Sequence, residues 1–167
     1  MGINPLTVPS TGETEMCVTT HRSKCGGFRV LVVNRTYIGP SEYIGRPFGR
    51  DAGSVLGNPR SLREGWERGE TIMHYRRELR AALDRTVKDA WWNGRLLSED
   101  ERAAMRREMN RLFQLLSQRS EVVLRCFCAP AACHGDEIVK VLLETLERWR
   151  LAVPGGAAPA EPVERAA

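Results

Sequence analysis

Residues 28–35 read FRVLVVNR, and residues 121–128 read EVVLRCFC. Each is a short, nearly continuous run of β-branched and apolar residues, the pattern of a sheet strand. The first suits a central strand covered on both faces. What lies between them decides how they pair. Ile72, Tyr75, Leu79, Leu83, Val87 and Ala90 recur at helical spacing with Arg and Glu between them, and Asn93-Gly94 reads as the stop of that helix. Ser98 and Glu101 form a capping box, after which Met105, Met109, Leu112 and Leu116 give an apolar stripe to about Gln118. Helices between two strands predict a parallel pair with a right-handed crossover. A last helix begins near His134, with Ile138, Val141, Leu142, Thr145 and Trp149 on one face. The predicted fold class is therefore α/β: a small layered, Rossmann-like fold with a mostly parallel sheet of three or four strands flanked by helices.

Working outward, Tyr37 to Pro47 holds Gly39-Pro40 and Gly45-Arg46-Pro47, which predicts a turn with at most a short strand at 42–44. Residues 48–60 read as a loop, and Ser61 with Glu64 as a second capping box. Residues 1–26 mix Ser, Thr, Gly and Pro without period, the composition of a flexible arm. Residues 152–167 are an Ala, Pro, Gly and Glu tail with nothing to bury, expected to be disordered. One domain over 27–151 remains, large enough to build a core without staples.

Composition narrows the function classes. Of 167 residues, 42% are hydrophobic and 28% charged, the balance of a globular protein. No apolar run approaches the ~20 residues of a membrane helix. The first fifteen residues have neither the basic start nor the apolar core of a secretory signal, so a cytoplasmic location is expected, with the five cysteines as thiols or metal ligands. The net charge of +4 comes from 22 Arg and 3 Lys set against 21 acidic residues. Between residues 60 and 119 the 14 basic and 10 acidic residues interleave, which reads as solvated helix faces rather than a nucleic-acid stripe.

The chemistry concentrates in CFCAPAACHGD, residues 126–136, where three of five cysteines and one of three histidines fall. Cys126 and Cys128 sit at the carboxyl end of a predicted strand, and Cys133 and His134 at the start of the next helix. Open α/β sheets place ligand crevices at such strand ends, and a helix N-terminus favours anions and thiolates. Three readings stand. Cys128 or Cys133 is a nucleophile with His134 or Asp136 as acid–base partner. Cys126, Cys128, Cys133 and His134 form a Cys3His zinc set, the two strand thiols sharing one face. The cysteines are small buried hydrophobes, with His134 at the helix end.

A second stretch, EYIGRPFGRDAGSVLGNP over 42–59, follows a strand and faces the same crevice. Gly45 and Gly57 allow backbone close to a ligand, Arg46 is a clamp for phosphate or carboxylate, and Asn58 reads a base or holds a turn. Plain turn chemistry is the competing account. There is neither a Walker loop nor a GxGxxG motif. Cys17, His21 and Cys25 in the arm form a weaker metal-ligand set. Of Trp91-Trp92, one ring is expected in the core.

Three motifs in order resemble an uncharacterised family of bacteria and phages, domain of unknown function 4326. They are Tyr43 to Pro47 after a strand ending in Val33-Asn34-Arg35, Leu56 to Pro59, and Cys126 to Pro130 with Cys133 to Asp136. The chain departs from that pattern in a longer loop between Pro47 and Leu56, and in Arg60, where an aromatic residue is usual. The closing motif is also similar to that of a second uncharacterised family with a Cys-His-Arg helix start. The resemblance implies a site and no reaction.

The sequence thus predicts a crevice at the strand ends, lined by Tyr43, Arg46, Asn58, Cys128, Cys133, His134 and Asp136. It would bind or process a nucleotide-like or other phosphorylated small anion, with Arg46 and the helix start on phosphate and Asp136 orienting His134. The alternative is a non-enzymatic Cys3His zinc module whose basic helices meet nucleic acid or a protein.

Overall fold

Both apolar runs are strands of one sheet. The structure, a computed structural model, describes residues 18–24, 26–129 and 131–152. In chain order it holds β1 (Val18–Arg22), β2 (Arg29–Asn34), β3 (Glu42–Tyr43), a 3-10 turn at Leu62–Glu64, α1 (Arg68–Leu83), β4 (Trp91–Trp92), β5 (Arg95–Leu96), α2 (Glu99–Arg119), β6 (Glu121–Cys126) and α3 (His134–Ala152). The main sheet has the order β1-β2-β6-β3. β2 runs parallel to β6, from Arg29 opposite Glu121 to Asn34 opposite Cys126, and β3 runs parallel to β6 on its other side. This is the α/β character expected: three helices and a mixed sheet of four strands.

One strand lies where an arm was expected. β1 pairs antiparallel with β2 over residues 18–22, so the folded unit begins before residue 27. Its VTTHR sequence carries little apolar payload because an edge strand is held by backbone pairing on one side alone. Residues 1–17 of the expected arm, Cys25 and residues 153–167 of the expected tail lie outside the described residues.

The sheet's faces are unequal. Val30 and Val32 of β2 are buried with Val122, Leu124 and Cys126 of β6, whereas Arg29, Leu31, Val123 and Arg125 are half-buried or exposed. The parallel register puts the buried set on one face. α2 packs on β6, α3 packs on β2 and β6, and the three helices touch one another. Helices cover that one face; on the other face of β2, Val33 is buried and Leu31 half-buried, so the strand predicted to be covered on both faces is covered fully on one and in part on the other. The core takes Met105, Met109, Leu112 and Leu116 from α2, Ile138, Val139, Leu142 and Leu146 from α3, and Tyr75, Leu79 and Ala82 from α1, which packs on the other two helices and on β4. In α3 the buried stripe is turned from the predicted one, leaving Thr145 and Trp149 exposed.

The first long helix stops at Leu83, well short of Ala90. The Asp84 carboxylate accepts from the N–H and hydroxyl of Thr86, a local bond that competes with helix. Arg102, buried on α2, donates to the carbonyls of Ala82, Asp84 and Lys88, taking up acceptors the helix end leaves open. The chain then turns through Asn93-Gly94, both at positive φ, as the two-residue hairpin turn between β4 and β5 rather than as a helix stop. Trp92 packs edge-on against Tyr75 in the core and Trp91 is exposed, as expected of that pair. Both predicted capping boxes, Ser61–Glu64 and Ser98–Glu101, are formed. Among the described residues no helix is long and apolar enough to cross a membrane.

Candidate functional site

Cys126 ends β6, and Cys133 stands immediately before α3. Across the bend between them, Asn34 at the end of β2 donates to the carbonyl of Ala129 at 2.6 Å, tying the connection down. The start of α3 is capped from its own sequence. The Asp136 carboxylate accepts the Cys133 N–H at 2.9 Å, as the acid of a capping box does, and the Cys133 sulfur accepts the Gly135 N–H at 3.1 Å. Gly135 is required there: a Cβ would lie 2.9 Å from Cγ1 of Val32 and 3.0 Å from Cδ1 of Ile44. The helix start is thereby pressed onto the sheet.

His134, the first residue of α3, is 5% exposed. Its Nε2 donates to the carbonyl oxygen of Ile44 at 2.8 Å, so Nδ1 is the bare nitrogen. That nitrogen faces Sγ of Cys126 at 3.6 Å and Sγ of Cys133 at 3.9 Å. Burial pushes the imidazole's pKa down, keeping it neutral. Tyr75 packs edge-on against the ring, centroids 5.1 Å apart, while its hydroxyl donates to the carbonyl of Leu56. The ligand atoms of Cys126, Cys133 and His134 all lie within 4.8 Å of one another, a cluster able to hold a metal ion. Cys128, the fourth residue of the predicted set, is outside that group. The neighbouring thiols draw Cys128 well below the ordinary thiol range and push Cys126 and Cys133 above it.

Two roles expected from sequence change. Asp136 does not orient His134; its oxygens are taken by Cys133 N–H and by His21 of β1, at 3.0 Å. The orienting group is the Ile44 carbonyl, which no side-chain motif signals. Gly57 and Gly45 bring the chain close to itself: a Cβ on Gly57 would stand 2.9 Å from the Gly45 carbonyl oxygen, and one on Gly45 would stand 2.6 Å from the Tyr43 hydroxyl. Asn58 holds a turn, its Oδ1 accepting from the Arg60 N–H.

The cluster forms part of the wall of a cavity of about 720 Å3. Of the residues singled out in the two stretches, Tyr43, Gly45, Arg46, Asn58, Cys126, Cys128, Cys133 and His134 line it; Gly57 and Asp136 are not among the lining residues. Sequence reasoning missed Arg60, just before the 3-10 turn, Arg63 within it, Arg68 at the start of α1, and the rim rings Phe48 and Phe127. Arg60 had one signal, its departure from the family pattern. It forms a buried bidentate pair with Glu78 of α1 and stacks over Trp66. Arg68 donates to the carbonyl of Ala132. The side chains of Arg46 and Arg63 form neither ion pair nor hydrogen bond among the described residues, and no carboxylate lines the cavity.

The profile of the family described as Domain of unknown function (DUF4326) matches residues 33–144, from the end of β2 into α3. That span is more than half of the chain and contains every cavity residue named above, and the chain belongs to this family. No curated protein and no solved structure matches it.

Proposed function

We propose that the protein binds a phosphorylated, nucleotide-like or other anionic ligand in this cavity. The observation that carries the reading is the charge of the lining, four arginines against no carboxylate. Glu78 neutralises Arg60 and a carbonyl engages Arg68, while Arg46 and Arg63 are free to meet an anion. Guanidinium forks match phosphate oxygens in pairs, and the volume suits a ligand of nucleotide size. The reading does not rest on the N-terminus of α3, where Asp136 and Cys133 already take up N–H groups. In this reading Cys128, half-buried on the cavity wall, is the thiol that would act on a bound ligand. The test is a thermal-shift panel of inorganic phosphate, pyrophosphate and nucleotides. A binding anion at 100 times its dissociation constant stabilises by about 2.7 kcal/mol, and Arg46→Ala together with Arg63→Ala should erase the shift. No shift from any anion, at any concentration up to millimolar, sinks the reading.

One observation favours a second reading, a zinc ion held by Cys126, Cys133 and His134 with Cys128 as the fourth ligand. Tetrahedral zinc at ~2.3 Å from sulfur and ~2.0 Å from nitrogen sets those atoms about 3.5 Å apart; the nitrogen-to-sulfur distances are 3.6 and 3.9 Å. The Ile44 carbonyl fixes the imidazole as a second-shell group does. Such a centre is structural when all four ligands close it. Elemental analysis of freshly purified protein decides: one zinc per chain, lost with the fold on chelation, supports it, and metal-free folded protein ends it.

A further inference from the structure

The rim of the cavity carries a feature that anion binding alone leaves unused. Phe48, in the loop after β3, and Phe127, just beyond β6, lie 79 positions apart in the chain and meet with ring centroids 5.9 Å apart. That separation is within the range of paired aromatic rings. Both line the cavity, and both are 52% exposed. The guanidinium of Arg35 lies over each ring, 4.3 Å from the Phe48 centroid and 4.7 Å from that of Phe127. The rings are thus fixed from one side by a cation and left open to water elsewhere. Arg46, without a partner, stands two residues before Phe48.

We infer that the ligand is a nucleoside phosphate whose base stacks face-on against Phe127 and packs against the edge of Phe48, which is tilted 51° to it, while its phosphate is held by Arg46 and Arg63. This rests on the anionic-ligand reading and names the other half of the ligand. Aromatic rings gain by stacking on any base, because every base has a π-face, so the site selects a flat heteroaromatic ring and not one particular base. A sugar phosphate would engage the arginines and leave both rings in water. A cavity of about 720 Å3 holds base, sugar and phosphate together.

The experiment is calorimetric titration of the full chain with AMP, GMP, CMP, UMP and ribose 5-phosphate. These share one phosphate and differ in the base. The best nucleotide should bind at least tenfold tighter than ribose 5-phosphate. Phe127→Ala and Phe48→Ala should each cut that advantage at least fivefold and leave ribose 5-phosphate unchanged. Phe127→Leu, which keeps apolar bulk without a ring, should behave like Phe127→Ala, which separates stacking from loss of fold. Arg46→Ala should weaken all five ligands alike. Equal affinity for nucleotides and ribose 5-phosphate overturns the inference and leaves the anionic reading intact. Absence of binding by all five together with pyrophosphate overturns both.

Discussion

The Nε2 of His134 donates to the carbonyl oxygen of Ile44 at 2.8 Å, joining the first residue of α3 to the residue that follows β3. One bond thereby sets the register of two segments 90 residues apart and points Nδ1 at two sulfurs.

Removing that bond should be costly. His134→Ala leaves the buried Ile44 carbonyl without its donor, a loss of about 1–3 kcal/mol, with a void beneath Tyr75 in addition. His134→Gln, which retains a donor of similar reach and no bare ring nitrogen, should recover most of that stability in urea unfolding while failing to restore any metal held by the cluster. If the two variants are equally stable, the Ile44 bond is not what holds the junction.

Gly135→Ala sets helix propensity against packing. Alanine is better than glycine in a helix by about 1 kcal/mol. The added methyl, however, meets Val32, whose β-branched side chain has little rotameric freedom, and overpacking a core costs about 1–3 kcal/mol. Packing should win. The variant is expected to lose stability in chemical denaturation, and the thiol reactivity of Cys133 should rise as the helix start lifts from the sheet.

The Arg60–Glu78 pair is 4% and 7% exposed at its side chains, and Glu78 also accepts the Asn93 N–H. Breaking it from one side, by Arg60→Ala or Glu78→Ala, should cost about 3–5 kcal/mol because a buried charge is left alone. Replacing both residues by leucine should cost less than either single change. Urea unfolding of the three variants checks this; a double variant as unstable as the sum of the singles would refute it.

How much of this was legible beforehand follows from the range of each interaction. The strands at 29–34 and 121–126 and their parallel pairing show in local runs and in the helices between them. The closing motif shows because Cys126, Cys133, His134 and Asp136 are neighbours in sequence. β1 was hidden because an edge strand needs no apolar face, and Asn93-Gly94 was ambiguous because it suits both a helix end and a tight hairpin. The Ile44 carbonyl, the Arg60–Glu78 pair and the Phe48–Phe127 contact are products of tertiary folding. Backbone acceptors and residues paired across long separations leave no periodic trace.

Acid should weaken the anchor between α1 and α3. Burial pushes the Glu137 carboxyl up, but hydrogen bonds from Arg76 and Lys140 outweigh it and hold it below the ordinary carboxylate range. A lowered folded-state value means that Glu137 contributes stability above its unfolded value of 4.5, and that this is lost as pH falls through the folded value. At pH 7 Glu137→Gln should therefore be less stable than the parent by about 1–3 kcal/mol. The two should converge once the pH is well below 4. A gap that persists at low pH would assign the loss to packing.

β6 lies between β2 and β3, yet among the described residues only α3 follows it. Arg29 meets Glu121 across 92 residues. During synthesis, the residues from β1 through α2 emerge before the strand that joins the sheet's two halves exists. Until then β3 has no partner strand, β2 has only β1, and the apolar face of α2 has no β6 to cover. Folding must wait on long-range pairing, which is slow and leaves apolar surface open meanwhile. The cysteine and histidine cluster is assembled by the same late strand and the helix after it. A chain that has its site has therefore finished its sheet, and a ribosome that stalls before residue 121 releases a product with neither.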